Sequence, residues 1–363
     1  MLEKMGAIIE HSDHIIHIQN KDIDVARLPK EDVKKFRASV LFVGPLLARF
    51  GTVSLPYPGG DPIGRRSIDT HLNAFANLGC KVDRNQEGFT IQHNNGHLPP
   101  EIVLDDFSVT ATENIMMFLA GQAHSIDVFM IAQEPSVQNL QAMLVSMGAN
   151  IQTFPYHHLS IQGNNVLDGV EVETFSDPIE AGTFVAMTLT VGGDVRILNF
   201  PVDDLKLVLH LLQNRGGDII QESDSVIRVK TSPNLVLKKI QTMIYPGFPT
   251  DLQAPFGTLA TQAQGATIIH DPLFEGRLKY LKGLEKMGAN IRIIDDHRAE
   301  IIGGTQLKGV ILEGEDIRGA MSFIIAGMAA TGTTILKNAF QVDKGYERIE
   351  QRLNALGARI QRF

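Results

Sequence analysis

Six times along the chain a glycine follows the end of a helix-like run and precedes a small residue, one variable residue and an aliphatic one. The copies are Met5-Gly6-Ala7, Leu78-Gly79-Cys80, Met147-Gly148-Ala149, Arg215-Gly216-Gly217, Met287-Gly288-Ala289 and Leu356-Gly357-Ala358. Counted glycine to glycine, the intervals are 73, 69, 68, 72 and 69 residues. A period this regular means one supersecondary unit copied six times, and it outranks every local signal. It also sets an expectation about the beginning of the chain. The first copy lies at Gly6, where about sixty residues of its own repeat should precede it.

A second landmark recurs within each period. A polar start leads into an apolar run, then glycine, then alternating residues: Arg37–Arg49 before Gly51, Ser108–Ala120 before Gly121, Pro178–Val191 before Gly192, Thr250–Gln264 before Gly265, and Asp316–Thr331 before Gly332. Glycine just past a helix is a left-handed cap. The β-branched alternation that follows, as in Val53-Ser54-Leu55, Thr267-Ile268-Ile269 and Thr334-Ile335-Leu336, reads as a half-buried strand. A second helix then leads to the Gly-Ala landmark and to strands such as Asn150-Ile151-Gln152 and Asn290-Ile291-Arg292.

The helix starts carry capping signals. Asp177-Pro178-Ile179-Glu180 offers an N-cap, a proline at the first helical position and a glutamate at the third. Thr250-Asp251-Leu252-Gln253 and Thr110-Ala111-Thr112-Glu113 read as further capping boxes. Capping alone is the blander account of these residues. Yet the helices are apolar nearly all round, as in Phe323-Ile324-Ile325-Ala326-Gly327-Met328, and such helices are buried. Buried helices whose polar starts point one way gather positive dipole ends, which suit an anion.

At 363 residues the six repeats divide into two groups of three, residues 1–175 and 176–363, with the break between Phe175 and Pro178 where a hairpin-like stretch over Leu159–Thr174 ends. A hydrophobic content of 44% supports two cores. No apolar run reaches the roughly eighteen residues of a membrane span, and the start lacks the basic, apolar, small-residue order of an export signal. A cytoplasmic location is therefore expected. The single cysteine, Cys80, excludes an internal disulfide and fills a slot that alanine fills in sister repeats, so it should pack rather than react. The net charge of −8 argues against a nucleic-acid or anionic-membrane surface. His11, His14 and His17 straddle a strand on different faces, which does not suit a metal.

The segment richest in chemistry runs from Leu55 to His71, with Pro56, Pro58 and Pro62 among Gly59, Gly60 and Gly64. That composition forbids regular structure. Carrying Asp61, Arg65 and Arg66, it reads either as a lid over an anionic substrate or as a charged connector. Phe36-Arg37-Ala38-Ser39 places a cation at a helix start, Tyr245-Pro246-Gly247-Phe248-Pro249-Thr250-Asp251 sets an acid after a rigid turn, and Gly314-Glu315-Asp316-Ile317-Arg318 pairs acid with base. No phosphate-binding Gly-x-x-x-x-Gly-Lys loop, G-x-S-x-G elbow or Cys/His cluster is present, so neither metal nor cofactor is expected. Chemistry must rest on scattered Arg and Asp residues that converge in a cleft between the two domains.

At these segments the chain resembles the enolpyruvyl transferases. The likeness runs over residues 1–363 and is most specific at Arg37-Ala38-Ser39 with Gly44-Pro45-Leu46, the loop from Pro58 to His71, Phe248-Pro249-Thr250-Asp251, and Gly345-Tyr346-Glu347-Arg348-Ile349-Glu350. The resemblance implies an inside-out α/β barrel of six βαβαββ-type units in two globular domains, here with the first repeat incomplete. It implies transfer of the enolpyruvyl group of phosphoenolpyruvate to the 3-hydroxyl of UDP-N-acetylglucosamine, with release of phosphate, in bacterial cell-wall synthesis. Asp251 becomes the base for the hydroxyl proton. Arg37, Arg66, Ser67, Ile68, Asp69 and Thr70, the run Asp106, Phe107, Ser108 and Val109, and Leu273 line the nucleotide-sugar site. Arg66, Arg277, Arg318 and Lys344 hold phosphate or carboxylate, since a fixed guanidinium fork matches those anions.

The sequence also departs from the family pattern. Asp61 stands where most members have a cysteine; a carboxylic acid can serve as proton donor in its place. Lys344 replaces an arginine and Asp106 a lysine, and the family's lysine–asparagine pair is expected in a segment ahead of Met1. Without that segment a sheet edge and an apolar face are left uncovered, from which self-association is expected. The departures leave open a second reading, a catalytically impaired paralogue that binds a nucleotide sugar or a partner. A relative acting on shikimate 3-phosphate is a third, and the runs from Arg66 and from Gly345 point away from it.

Overall fold

The computed structural model describes residues 1–64, 66–94 and 96–363, so Arg65 of the expected lid lies outside the described residues. The chain divides into two compact units. Met1–Gly60 with Ser67–Thr174 make the first, and Asp61–Arg66 with Phe175–Phe363 make the second.

The repeat is plainest where its sheet has four strands. In the first unit the order across the sheet is Glu101–Val103, Ser125–Phe129, His158–Gln162, Asn150–Phe154. The first pair is parallel, joined through the helix Val109–Ala120, and the other pairs are antiparallel. The second unit repeats this with Lys239–Gln241, Ala266–His270, Arg298–Ile302 and Asn290–Ile293 around the helix Gln253–Gln262. Strand, helix, parallel strand, helix and antiparallel hairpin is the βαβαββ order of the expected unit. Ser125–Phe129 turns one face inward, with only Ile126 and Val128 buried, as period-two alternation requires.

The helices that open each repeat are the inner elements. Nine of ten residues of Gln253–Gln262 and ten of fourteen of Pro178–Val191 are buried, so neither has a polar face to turn to water. With Ile317–Ala329 they pack against one another in the second unit. In the first unit Val43–Phe50 and Asp69–Asn77 pack on Val109–Ala120. There Phe75 and Phe118, both fully buried, meet edge to face with centroids 5.6 Å apart, a contact whose truncation to alanine costs about 3–5 kcal/mol.

The landmark glycines have one cause. Gly6, Gly79, Gly148, Gly216, Gly288 and Gly357 all lie at φ between 82° and 110°, where a Cβ is strained. The helix starts are less uniform than the capping signals suggest. Asp177 caps Pro178–Val191 as expected, accepting from the Ile179 and Glu180 amides at 2.8 and 3.0 Å. Thr110 and Thr250 do not cap. Ser108 accepts the Ala111 amide in its unit, while the hydroxyls of Thr110 and Thr250 turn to His71 and Asp271. Short 3-10 turns, Arg37–Phe42 and Thr250–Leu252, precede the α-helices at Val43 and Gln253, and the latter helix ends at Gln262.

Two local expectations are corrected. Of residues 159–174 only 159–162 are strand, as part of the strand His158–Gln162; residues 163–177 have no regular structure, because Gly163, Asn164, Asn165 and Gly169 break the alternation. His11, His14 and His17 span two strands, Ile8–Ser12 and Ile15–Gln19, that meet at a turn where Asp13 takes φ 49°. All three are exposed, as are Ile8, Ile15, Ile16 and Ile18 on the same hairpin. Cys80 is buried, and burial pushes its thiol up to about 12.

Candidate active site

In the second unit five charged side chains gather around one carboxylate. Asp251 lies in the turn Thr250–Leu252, fixed behind the buried Phe248 and ahead of the largely buried helix Gln253–Gln262. Its Oδ1 accepts from Arg277 Nη2, and its Oδ2 from Arg318 Nε and Nη2 at 3.1 and 3.0 Å. Burial would raise this carboxyl, but Arg318 and Arg277 outweigh that and hold it down at about 2. Guanidiniums in such reach stabilise the anion far more than the acid.

Each arginine is held by its own surroundings. Arg277 donates through Nε to Thr250 Oγ1 at 3.2 Å, and Thr250 donates in turn to Asp271 Oδ2 at 2.6 Å. The other oxygen of Asp271 accepts the Leu273 and Phe274 amides at 3.0 and 3.2 Å, which shapes the turn that delivers Arg277. Phe274 lies beneath both Arg277 and Arg66, whose guanidinium carbons sit 5.7 and 5.9 Å from its centroid. Arg318 occupies the first turn of Ile317–Ala329, which Asp316 caps by accepting the Arg318 and Gly319 amides at 3.0 and 2.9 Å. Its guanidinium lies over Tyr346, 5.3 Å from the centroid, and the Tyr346 hydroxyl is 3.0 Å from Thr183 Oγ1.

Asp61 and Arg66 complete the group. Asp61 Oδ2 accepts the Ile317 amide at 3.3 Å, and Oδ1 is 3.9 Å from Lys344 Nζ. The segment that carries them is pinned by backbone. Gly276 donates its amide to the Ile63 carbonyl at 2.9 Å, and a Cβ there would come within 2.6 Å of the Ile63 backbone. Lys279 donates to the Pro62 carbonyl at 3.1 Å. Arg66 is partly buried; burial pulls its pKa down with help from Arg277, while Asp251 and Asp61 oppose this. Asp61, Arg66, Asp251, Arg277, Arg318 and Lys344 are thus brought together. Leu273 is exposed on the turn before Arg277.

The first unit brings its own expected residues together at two helix starts. Arg37 donates from Nη2 to the Ser67 carbonyl at 2.7 Å. The Ser67 hydroxyl donates to Asp69 Oδ2 and receives the Asp69 amide, which lowers the Asp69 carboxyl together with Arg84. Ile68 is buried, and Thr70 sits in the first turn of Asp69–Asn77. Asp106 accepts the Phe107 amide at 2.8 Å, Phe107 stacks edge-on with His157 at 4.7 Å, and Ser108 and Val109 open the neighbouring helix. His71 joins the two helices, 3.0 Å from Thr110 Oγ1 and 3.0 Å from Asn114 Nδ2. Burial, aided by the Arg37 charge, pushes it down to about 3, so it is a neutral joint.

Comparison with known proteins shows the family of the chain. The family described as EPSP synthase (3-phosphoshikimate 1-carboxyvinyltransferase) matches residues 1–353. The chain belongs to the enolpyruvyl transferase family. A UDP-N-acetylglucosamine 1-carboxyvinyltransferase of Treponema denticola is 34% identical over 99% of this chain and 86% of its own length. One from Carboxydothermus hydrogenoformans, UDP-N-acetylglucosamine 1-carboxyvinyltransferase 2, is 37% identical over 100% of this chain and 86% of its own. Among solved structures, the enolpyruvyl transferase NikO from Streptomyces tendae superposes with a TM-score of 0.87 at 20% identity, covering 99% of this chain and 86% of that one. EPSP synthase from Acinetobacter baumannii gives 0.72 at 18% identity, over 99% and 86%. The α/β fold of several small sheets is therefore that of the enolpyruvyl transferases.

Sequence reasoning missed part of the candidate site. Asp271, fully buried, follows the strand Ala266–His270 and precedes Pro272. An acid at a strand end before proline was the signal for it. Thr250 passed as a cap because its spacing to Gln253 fits one equally well. Phe274 and Thr183 carry no charge and left no sequence mark.

Proposed function

We propose that the chain transfers the enolpyruvyl group of phosphoenolpyruvate to the 3-hydroxyl of UDP-N-acetylglucosamine, releasing phosphate, as a committed step of peptidoglycan synthesis in the cytoplasm. The observation that carries this reading is the gathering of Asp61, Arg66, Arg277, Arg318 and Lys344 around Asp251. It occurs in a chain 34% and 37% identical, over nearly its whole length, to relatives that bear the corresponding name.

In this reading Asp251 takes the proton of the sugar 3-hydroxyl while that oxygen bonds to C2 of phosphoenolpyruvate. Asp61, in its acid form, gives a proton to C3, and the double bond becomes a methyl group. Collapse reverses the traffic. Asp61 removes a methyl proton, the C2–O bond to phosphate breaks, and the departing phosphate takes the proton from Asp251. Protons and electron pairs balance over the cycle with no cofactor. Arg66, Arg277, Arg318 and Lys344 hold the phosphate and carboxylate charge, which preorganised cations stabilise without reorganisation. Arg37, Arg66, Ser67 to Thr70, Asp106 to Val109 and Leu273 hold the nucleotide sugar. At the level of the fold, we place three repeats in residues 1–175 and three in 176–363, each set wrapped as an inside-out barrel with its helices innermost.

The test is phosphate release from phosphoenolpyruvate by the full chain. Release that requires UDP-N-acetylglucosamine, and that shikimate 3-phosphate does not support, is expected. A folded chain that releases none with either acceptor would sink the proposal.

A further inference from the structure

Asp251 is both the proposed base and the sole carboxylate shown bonded to Arg277 and Arg318 among the described residues. Arg277 is buried and Arg318 largely so, with side chains 4% and 13% exposed, whereas the Asp251 side chain is 37% exposed. The carboxylate therefore covers the cations on their more open side. The aromatic rings of Phe274 and Tyr346 lie against the guanidiniums, and Arg318 Nη1 is buried with no hydrogen-bond partner among the described residues. A planar carboxylate facing two such forks has the shape and charge of the anion that the forks suit.

Resting on the proposed function, we propose that Asp251 is an internal counter-anion that phosphoenolpyruvate must displace. Its phosphate or carboxylate takes over the guanidiniums of Arg318 and Arg277, and the exchange frees Asp251 to act as base. Pinned by two guanidiniums, a carboxylate is a poor proton acceptor; with the cations drawn to the ligand it becomes a better one. Binding of the anion and readiness of the base are then one event. Reciprocally, the carboxylate competes with substrate. Removing it leaves both cations without their bonded carboxylate, and a buried charge without a partner costs far more than a paired one.

This gives an outcome opposite to that of a residue which is merely a base, or merely structural. In titration calorimetry Asp251→Asn should bind phosphoenolpyruvate and inorganic phosphate about tenfold or more tighter than the wild type, while turnover is lost. Equal or weaker binding by a folded Asp251→Asn chain overturns the inference and leaves the enolpyruvyl reading standing. Failure of both chains to bind either anion overturns that reading as well. Should the variant not fold, a structure of the wild type with phosphate decides. Guanidiniums on the phosphate and off Asp251 support the exchange, and retention of both ion pairs with phosphate bound refutes it.

Discussion

Replacing Asp61 by asparagine separates chemistry from architecture. Among the described residues the carboxylate makes two contacts: the Ile317 amide at 3.3 Å and Lys344 Nζ at 3.9 Å. Asparagine keeps an acceptor for the amide. The ion pair is long, and Lys344 is 43% exposed, so its loss costs at most about 1 kcal/mol. For a unit of this size that is roughly 2–4 °C in the melting temperature. The amide cannot donate a proton to carbon, and losing a general acid costs about 10²- to 10⁴-fold in rate, or roughly 3–5 kcal/mol of barrier. The catalytic effect therefore exceeds the structural one severalfold. Expected results are a steady-state rate of phosphate release lowered at least a hundredfold, a melt within a few degrees of wild type, and unchanged calorimetric affinity for UDP-N-acetylglucosamine. A turnover number within a factor of ten of wild type refutes the proton-donor role.

Fosfomycin, an epoxide that alkylates a thiolate, should leave the enzyme active. The only thiol is Cys80, buried and pushed up to about 12, and the reactive position holds Asp61; a stable mass adduct on residues 55–71 contradicts this. Arg37→Ala removes the donor to the Ser67 carbonyl and should weaken UDP-N-acetylglucosamine about ten- to a hundredfold by calorimetry, with phosphate affinity unchanged; equal sugar affinity in the variant ends that assignment. Asp251 also predicts a pH dependence. Its carboxyl lies at about 2 against an ordinary 3.8, so its stabilisation is present above pH about 4 and is lost as pH falls toward 2. The gap is worth roughly 2.4 kcal/mol, and screening of a group 37% exposed brings it nearer 1 kcal/mol. The stability difference between wild type and Asp251→Asn in urea should therefore shrink by about that amount from pH 5 to pH 2; a constant difference refutes it.

What the sequence disclosed and what it hid have physical causes. The repeat was legible because its glycines are dictated by backbone: a residue at φ near 100° must be small, whatever surrounds it. The buried helices were legible because an all-apolar run has no other place to go. The parts that escaped are those decided by tertiary context. Whether Thr110 or Thr250 caps its own helix or bonds His71 or Asp271 depends on what lies across from it, and both outcomes fit the same four letters. Asp271 is invisible as a site residue until Thr250 and the Leu273 and Phe274 amides converge on it. The stretch beyond Gln162 resembles a strand in composition, yet it finds no partner strand among the described residues and stays irregular.

Residues Asp61–Arg66 are encoded in the midst of the first unit yet built into the second, so the backbone passes between units three times, at Gly60, Arg66 and Thr174. A gene cut at the last crossing would yield a C-terminal product that owns Asp251, Arg277 and Arg318 but neither Asp61 nor Arg66. No single cut therefore separates the two halves of this chain: a C-terminal half complete in its own residues would have to carry the six-residue segment Asp61–Arg66 together with the turn around Gly276 that receives it.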